Sequence, residues 1–282
     1  MDFINRIRGI LFNVIKDCLN IENQDYFVYG GYVRDYILSE ELIKNPENEK
    51  IKEYFNMLLI YSKKFDIDVY ISKKKYDTKL LFDKITMVLK YAFPTDTYNL
   101  ENITIIKNNY SNSLQFDINQ ISFGIDINCG PDMYYDADCN NLIMDNDKTI
   151  FLRKGCTIIK DTENIKNVID NIINLMTKLS GRSIILLDQI HNNKITKKRN
   201  LKKINATEHE IYKLIKRISK LKECGFTFDD KMTLLPDIKI KYNDEICKCD
   251  TKLYYQFTNK MTIKIICTEC ENIFSNKNLV YI

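Results

Sequence analysis

Tyr26-Phe27-Val28-Tyr29-Gly30-Gly31-Tyr32-Val33-Arg34-Asp35-Tyr36-Ile37-Leu38 joins an aromatic and β-branched run to two glycines and then to helical apolar spacing. The stretch reads as a strand, a tight turn and the start of a helix. Glycine lets the backbone approach a ligand closely, and the free N–H groups of a helix N-terminus favour an anion, so Gly30 and Gly31 are candidate phosphate-binding residues. Further along, Phe65-Asp66-Ile67-Asp68-Val69-Tyr70-Ile71 alternates strictly, as a strand with one buried face does. Phe65, Ile67, Val69 and Ile71 then share one face while Asp66 and Asp68 share the other. Two carboxylates on one face beside a phosphate cradle can hold magnesium between protein and triphosphate, the arrangement that two-metal phosphoryl or nucleotidyl transfer requires.

In this order the two elements resemble the head domain of the polymerase-beta-type nucleotidyltransferases, particularly the class II CCA-adding enzymes and bacterial poly(A) polymerases. Those carry Gly-Gly-x-Val-Arg-Asp followed by Asp-x-Asp, matched here by Gly30, Gly31, Val33, Arg34, Asp35, Asp66 and Asp68. A third family element, Arg-Arg-Asp-Phe-Thr-x-Asn-Ala-Leu, can be laid without a gap over the segment from Tyr134 to Asp145, where Asp136, Asn140, Leu142 and Asp145 match. Tyr134 and Tyr135 replace its two arginines, so a charged contact to the incoming nucleotide is missing or comes from elsewhere. The family's Glu-Asp-x-x-Arg element, associated with reading the base, is not recognisable, and base selectivity is not implied. What the resemblance implies is an α+β fold built on a nucleotidyltransferase-type mixed sheet with flanking helices. Gly30, Gly31 and Arg34 would meet the triphosphate of a nucleoside triphosphate. Asp66 and Asp68 would bind two magnesium ions, and Asp136 and Asn140 would line the sugar and base side. Asp35 would cap its helix or orient Arg34 rather than bind metal.

Around these motifs, Phe3, Ile7, Ile10, Leu11, Val14 and Ile15 predict an amphipathic helix over residues 2–20. A charged insertion from Ser39 to Lys64 contains a breaker at Asn45-Pro46-Glu47-Asn48 and a helix around Ile51 to Tyr61. Residues 78–93 read as a helix, followed by strands at Ile103 to Lys107, Leu114 to Ile121 and Phe123 to Asn128. Asp117, on a face with Gln115 and Asn119, is the first candidate for a third catalytic carboxylate that would activate the attacking hydroxyl, and Asp126 is the second.

Beyond residue 150 the pattern turns helical. Ile165, Val168, Ile169, Ile172, Met176 and Leu179 form one stripe, with Met176 as core filler and Gly181 as the C-terminal cap. The linker from Asn192 to Asn205 is polar and basic, and Thr207-Glu208-His209-Glu210 reads as a capping box opening a helix through Lys222, with Gly225 past its end. The apolar face of that helix is Ile211, Leu214, Ile215, Ile218 and Leu221. Its outer face carries Lys213, Lys216, Arg217, Lys220 and Lys222, suited to an RNA backbone.

Charge and cysteine content agree with this division. Residues 194–222 hold eleven Lys or Arg against Glu208 and Glu210, a local +9 in a chain of net +4, so the rest is near −5. Nine cysteines without a secretory signal argue against a disulfide framework. Cys247-Lys248-Cys249 and Cys267-Thr268-Glu269-Cys270 flank strand-forming segments and resemble a zinc ribbon, with four thiolates completing one structural zinc. The remaining cysteines read as ordinary thiols, and His191 and His209 lie outside any ligand pattern. No run of about eighteen apolar residues is present, and Met1-Asp2-Phe3 does not begin a signal peptide, so a soluble, cytoplasmic protein is expected. The expected organisation is a nucleotidyltransferase head over residues 1–150, a helical basic neck over 151–236 and a zinc ribbon over 237–282. The favoured function is addition of nucleoside monophosphates to an RNA 3′ end. A protein or small-molecule acceptor, or a nucleic-acid-binding subunit with a degenerate head, are the alternatives.

Overall fold

The structure, a computed structural model, describes residues 2–21, 26–62, 64–71, 78–94, 97–107, 112–128, 135–154, 157–184, 186 and 208–228, and the strands 238–246, 252–257, 262–267 and 273–278. The chain divides into two compact units, Met1–Leu175 and Met176–Ile282. In the first, an eight-stranded mixed sheet has the order β3-β4-β5-β2-β1-β6-β7-β8. Its strands are β1 (Tyr26–Tyr29), β2 (Lys64–Ile71), β3 (Leu100–Lys107), β4 (Asn112–Ile118), β5 (Ile121–Asn128), β6 (Leu142–Met144), β7 (Ile150–Lys154) and β8 (Thr157–Ile159). β2 and β5 run parallel, while the other neighbours are antiparallel. The helices are α1 (Asp2–Ile21), α2 (Gly31–Lys44), α3 (Glu49–Tyr61), α4 (Thr78–Ala92) and α5 (Thr162–Ile173). The sheet with flanking helices is the α+β architecture expected of the head.

The core follows from the alternation of β2, whose residues from Phe65 to Ile71 are buried at every second position. Ile67 pairs with Ile125 and Ile125 with Leu114, while Phe65, Phe123 and Phe116 form the next row, all buried. The rings of Phe65 and Phe123 lie 6.0 Å apart, and those of Phe116 and Phe123 lie 6.3 Å apart. α1 buries Ile4, Ile7, Leu11, Val14, Ile15 and Leu19, and it packs on α4, which buries Leu81, Phe82, Ile85 and Leu89. Each such aliphatic side chain contributes about 1.5–3 kcal/mol on removal from water.

Several boundaries differ from the sequence expectation. The segment from Ser39 to Lys64 is the tail of α2 followed by α3, whose N-terminus is capped by Asn48 accepting from the Ile51 N–H at 3.2 Å. Asn119 and Gln120 form the turn between β4 and β5, with φ of 50° and 67°, so Asn119 is not on a strand beside Asp117. A two-residue hairpin with both residues at positive φ matches the twist of the strands it joins, and strand spacing alone does not reveal it. Beyond residue 150 the chain adds β7 and β8 before turning helical. α5 then stops at Ile173, because Leu175 takes φ of 53° and the Asn174 N–H and side-chain amide both donate to the Asp170 carbonyl. Met176 and Leu179 are therefore not on its stripe, Met176 is exposed rather than core, and Gly181 does not cap this helix.

In the second unit, β9 (Met176–Thr177) pairs in parallel with β10 (Thr227–Phe228). α6 (Glu208–Glu223) buries Leu214, Ile215, Ile218 and Leu221. Gly225, at φ of 91°, ends it: its N–H donates to Lys222 and the Phe226 N–H donates to Leu221, the paired bonds of a Schellman cap. β11 (Ile238–Ile246), β12 (Lys252–Phe257), β13 (Thr262–Cys267) and β14 (Ile273–Asn278) form an antiparallel sheet in chain order. Cys247, Cys249 and Cys270 lie outside the described residues, as does the side chain of Cys267, which ends β13.

Candidate active site

Gly30 joins β1 to α2 with φ of 71° and ψ of −137°, a conformation that an L side chain rarely adopts. Its N–H donates to the Leu142 carbonyl of β6 at 3.4 Å, so the turn is tied to the sheet. No side chain caps α2 and no acidic residue stands in its first turn, which leaves the N-terminal N–H groups of the helix for an anion. A Cβ placed on Gly30 would sit 3.4 Å from Asp68 Oδ2, and one on Gly31 would sit 3.3 Å from Arg34 Nη2. The glycine turn therefore abuts one acid of the Asp-x-Asp pair.

Asp66 and Asp68 share the partly exposed face of β2, as the alternation predicts. Strand pairing extends that face into a row: Tyr29 of β1 pairs with Asp68, Asp68 with Asp126 of β5, and Asp126 with Ser113 of β4. The Ser113 hydroxyl donates to Asp126 Oδ1, and the Asn128 side-chain amide donates to the Tyr29 hydroxyl at 2.6 Å. Burial, reinforced by the charge of Asp68, pushes the Tyr29 phenol upward, so it stays a neutral hydrogen-bonding group. One row nearer the start of β2, Asp66 pairs with Gly124, and the Lys64 ammonium lies 2.9 Å from Asp66 Oδ1. A Cβ at Gly124 would stand 2.2 Å from that oxygen, so the carboxylate occupies space that glycine alone leaves open.

The third acid beside the pair is Asp126, not Asp117. Asp117 stands on β4 opposite Ser122, two strands from β2, or roughly 10 Å to the side. It accepts hydrogen bonds from the Ser122 hydroxyl and the Asn102 amide, both at 2.6 Å, and these hold its carboxyl below the usual range. The face of each strand was legible in the sequence. The order of the strands and the register between β2 and β5 were not, and these decide which acid is adjacent.

Behind the turn, Asp35 is buried and ties three elements together. Its Oδ1 accepts from Arg34 Nε and Nη2 at 2.9 and 2.8 Å and from the Tyr54 hydroxyl, while its Oδ2 accepts from Arg8 Nη1 at 2.8 Å. Burial pushes this carboxyl up, but the two guanidinium charges and the hydrogen bonds outweigh it and hold the group below its ordinary range. For Arg34 burial acts downward, and Asp35 reverses it and raises the guanidinium well above its ordinary value. Arg34 Nη1 donates to Asn140 Oδ1 at 2.8 Å, fixing a residue 106 positions away. Asp35 thus orients Arg34, one of the two roles expected of it, and Arg34 orients Asn140. Tyr54 was missed from sequence. Its spacing with Ile51, Phe55 and Leu58 marks the buried face of α3, yet nothing local says that its hydroxyl meets Asp35.

Asp136 is half-buried and lies one residue before Ala137, which caps a short 3-10 turn, Asp138–Asn140, that carries Asn140. Asp145 stays in the turn between β6 and β7, where it accepts from the N–H groups of Asp147 and Thr149 at 2.9 and 2.8 Å. Tyr134 lies outside the described residues and Tyr135 is half-buried. On α6, Lys213 and Arg217 are exposed while Lys216 and Lys220 are half-buried. A groove of about 280 Å³ is lined by α1, α2 and Lys148 and contains no member of the acid row. Among the described residues no three His, Cys, Asp or Glu side chains converge as a self-sufficient metal site, and no helix is long and apolar enough to cross a membrane.

The sequence matches no protein-family model and no curated protein. Solved structures similar to this chain include a CCA-adding enzyme in complex with CTP, with 12% identity, a TM-score of 0.40, and coverage of 79% of this chain and 40% of that one. A CCA-adding enzyme in complex with ATP gives 14% identity, a TM-score of 0.39, and coverage of 77% and 50%. A tRNA-processing enzyme in an apo form gives 11% identity, a TM-score of 0.34, and coverage of 80% and 60%. The chain thus spans 40 to 60% of the length of these structures.

Proposed function

We propose that this chain is a magnesium-dependent nucleotidyltransferase that adds nucleoside monophosphates from a nucleoside triphosphate to an RNA 3′ end, in the manner of a tRNA nucleotidyltransferase or poly(A) polymerase. The observation that carries the proposal is the nearness of the Gly30 turn to the Asp68 carboxylate, so close that a Cβ on Gly30 would lie 3.4 Å from Asp68 Oδ2, which puts an anion held at the start of α2 beside the acid pair. One or two carboxylates together with phosphate oxygens are the donor set that magnesium takes. The residues fit such an ion, since the carboxylates share an open face and Gly124 clears space for one of them. Asp66 and Asp68 would hold two magnesium ions, which when bound neutralise the leaving pyrophosphate and activate an acceptor hydroxyl.

The N–H groups following Gly30 and Gly31 receive the triphosphate. Asp126, oriented by Ser113, accepts the proton of the attacking hydroxyl at its carboxylate. Arg34 adds positive charge beneath the turn and sets Asn140, which with Asp136 lines the sugar and base side. Lys213, Lys216, Arg217 and Lys220 would contact the acceptor backbone, and Cys247, Cys249, Cys267 and Cys270 would hold a structural zinc. This corresponds to a head, a neck and a ribbon as expected, except that β7, β8 and α5 belong to the first unit with the head, so that the head extends past residue 150 to Leu175, the neck runs from there through 236 and the ribbon covers 237–282, working in the cytoplasm.

The test is extension of an RNA primer with magnesium and each of the four nucleoside triphosphates, comparing the native chain with Asp66→Ala. Incorporation by the native chain alone is expected. No incorporation with any triphosphate would defeat the proposal for RNA, and labelling of protein in the absence of RNA would move the acceptor to the first alternative.

A further inference from the structure

β7 brings to the acid face a cation that no motif marks. Phe151 of β7 pairs with Ile143 of β6, Ile143 with Tyr29, and Tyr29 with Asp68, so these positions share one face across four strands. Arg153, two residues beyond Phe151, stands on that same face, while Leu152 between them is buried on the other. Its backbone N–H donates to the Asn141 carbonyl at 3.3 Å, and the next carbonyl, that of Leu142, accepts from Gly30 at 3.4 Å. The glycine turn thus lies beside Arg153, with the acids beyond it.

The guanidinium carbon lies 5.5 Å from the centre of the Tyr29 ring and 5.7 Å from that of Tyr135. Arg153 is 4% exposed, and its Nε and Nη1 are buried without a hydrogen-bond partner. That contrasts with Arg34, whose three nitrogens are all bonded. Burial lowers the proton affinity of Arg153, and the two tyrosines and Asp68 only partly offset this. Arginine remains charged even so, and a buried guanidinium with idle N–H groups is costly unless an oxygen anion arrives to accept from them. Tyr135 stands where the resemblance expected an arginine, so the cation is supplied to that ring by another strand.

We propose that Arg153 is a nucleotide-binding residue whose Nε and Nη1 donate to phosphate oxygens of the incoming nucleoside triphosphate, from the opposite side of the glycine turn to the acid pair. This rests on the nucleotidyltransferase reading, and its test separates the two. The full chain is titrated by calorimetry with a nucleoside triphosphate carrying an α,β-methylene bridge, with and without magnesium, and in parallel with a single-stranded RNA oligonucleotide. The Arg153→Met and Arg153→Lys variants follow, each also heated without ligand.

Arg153→Met is expected to weaken triphosphate binding by about 10- to 100-fold, as loss of charge-assisted hydrogen bonds does. Arg153→Lys, which keeps the charge and loses the fork, falls between. Without ligand, Arg153→Met melts at or above the native temperature, because relief of a buried guanidinium with two idle nitrogens offsets the loss of its two ring contacts. Native-like affinity in Arg153→Met, with clear binding by the native chain, overturns the assignment of Arg153 and leaves the nucleotide site standing. No triphosphate binding by the native chain overturns both readings. A lower melting temperature in Arg153→Met that Arg153→Lys restores together with full affinity makes the residue a structural charge and overturns the proposal. Loss of RNA binding with triphosphate affinity unchanged also overturns it, in favour of the acceptor strand.

Discussion

Replacing Gly124 by alanine tests the site with a single methyl group. The new Cβ would lie 2.2 Å from Asp66 Oδ1, 2.8 Å from Lys64 Cε and 2.9 Å from Lys64 Nζ. Lys64 has a long flexible stem and can swing clear. Asp66 is held at its Cα by the β2–β5 ladder, and its carboxylate has one methylene with which to move. Ordinary contact begins near 3.4 Å, so the oxygen must retreat by about 1.2 Å. Magnesium keeps its oxygen ligands near ~2.0–2.1 Å, and a misplacement of about 1 Å at a reacting centre costs on the order of 100-fold. The fold should tolerate the change, since Gly124 sits in an ordinary strand and alanine lowers the entropy of the unfolded chain by an equivalent of about 0.4–1 kcal/mol. Primer-extension rate is therefore expected to fall about 100-fold while the melting temperature stays within about 3 °C of native. Adding Asp66→Ala to Gly124→Ala should cost little more than Asp66→Ala alone, because both changes act on one carboxylate. An activity within threefold of native would refute the reasoning, as it would mean that the position of the Asp66 oxygen is irrelevant to the reaction.

Asp126→Asn is expected to reduce extension by at least about 100-fold, whereas Asp117→Asn should stay within a few fold of native; the reverse ranking in the same assay would return Asp117 to the site. Asp35→Asn leaves two buried guanidinium groups facing a neutral amide and should destabilise the first unit by about 3–5 kcal/mol, a fall of about 10 °C in calorimetry. Because the folded Asp35 carboxyl is depressed, its contribution is present above the unfolded value near ~3.9 and is lost as pH falls through the lower folded value. The gap in melting temperature between native and Asp35→Asn should accordingly narrow below about pH 4, and a gap independent of pH would exclude the ion pairs as its source. Native mass spectrometry of the full chain should find one zinc, lost in Cys267→Ser together with Cys270→Ser; a native chain that retains its folded mass distribution without zinc removes the ribbon.

The sequence was legible wherever the physics is local. The period-2 alternation of β2 separated Asp66 and Asp68 from Phe65, Ile67, Val69 and Ile71, and burial follows that pattern. Gly30 at the end of an aromatic run announced a turn, and it takes a φ that suits glycine. Long-range pairing was not legible. Whether Asp117 or Asp126 neighbours Asp68 depends on the parallel pairing of β2 with β5, a contact between segments separated by α4 and the β3–β4 hairpin. The α5 stripe was read too far because Met176 and Leu179 continue its spacing by coincidence, while the positive φ of Leu175 has no side-chain signature. Arg153 escaped notice for a related reason: a lone arginine in a short apolar run has the same sequence signature whether it faces solvent or closes a site.

The two buried arginine environments of the first unit differ in how far their hydrogen-bonding capacity is used. Around Asp35 the fold gathers Arg8, Arg34 and Tyr54 until the carboxylate is bonded on both oxygens, and Arg34 spends its remaining nitrogen on Asn140. That cluster links α1, α2, α3 and the 3-10 turn, and it fixes where the start of α2 stands relative to the sheet. Arg153 is as deeply buried, yet Nε and Nη1 remain unbonded. Satisfying or deleting this second guanidinium would add stability, and it lies between two tyrosines on the acid face. The Asp35 cluster is where the fold is held, with Arg8 Nε its one idle guanidinium nitrogen, and Arg153, with two, is where the proposal places a ligand. A charged ligand bridging the turn, the acids and Arg153 would meet a site whose geometry is set by the first group and whose unspent hydrogen bonds belong to the second.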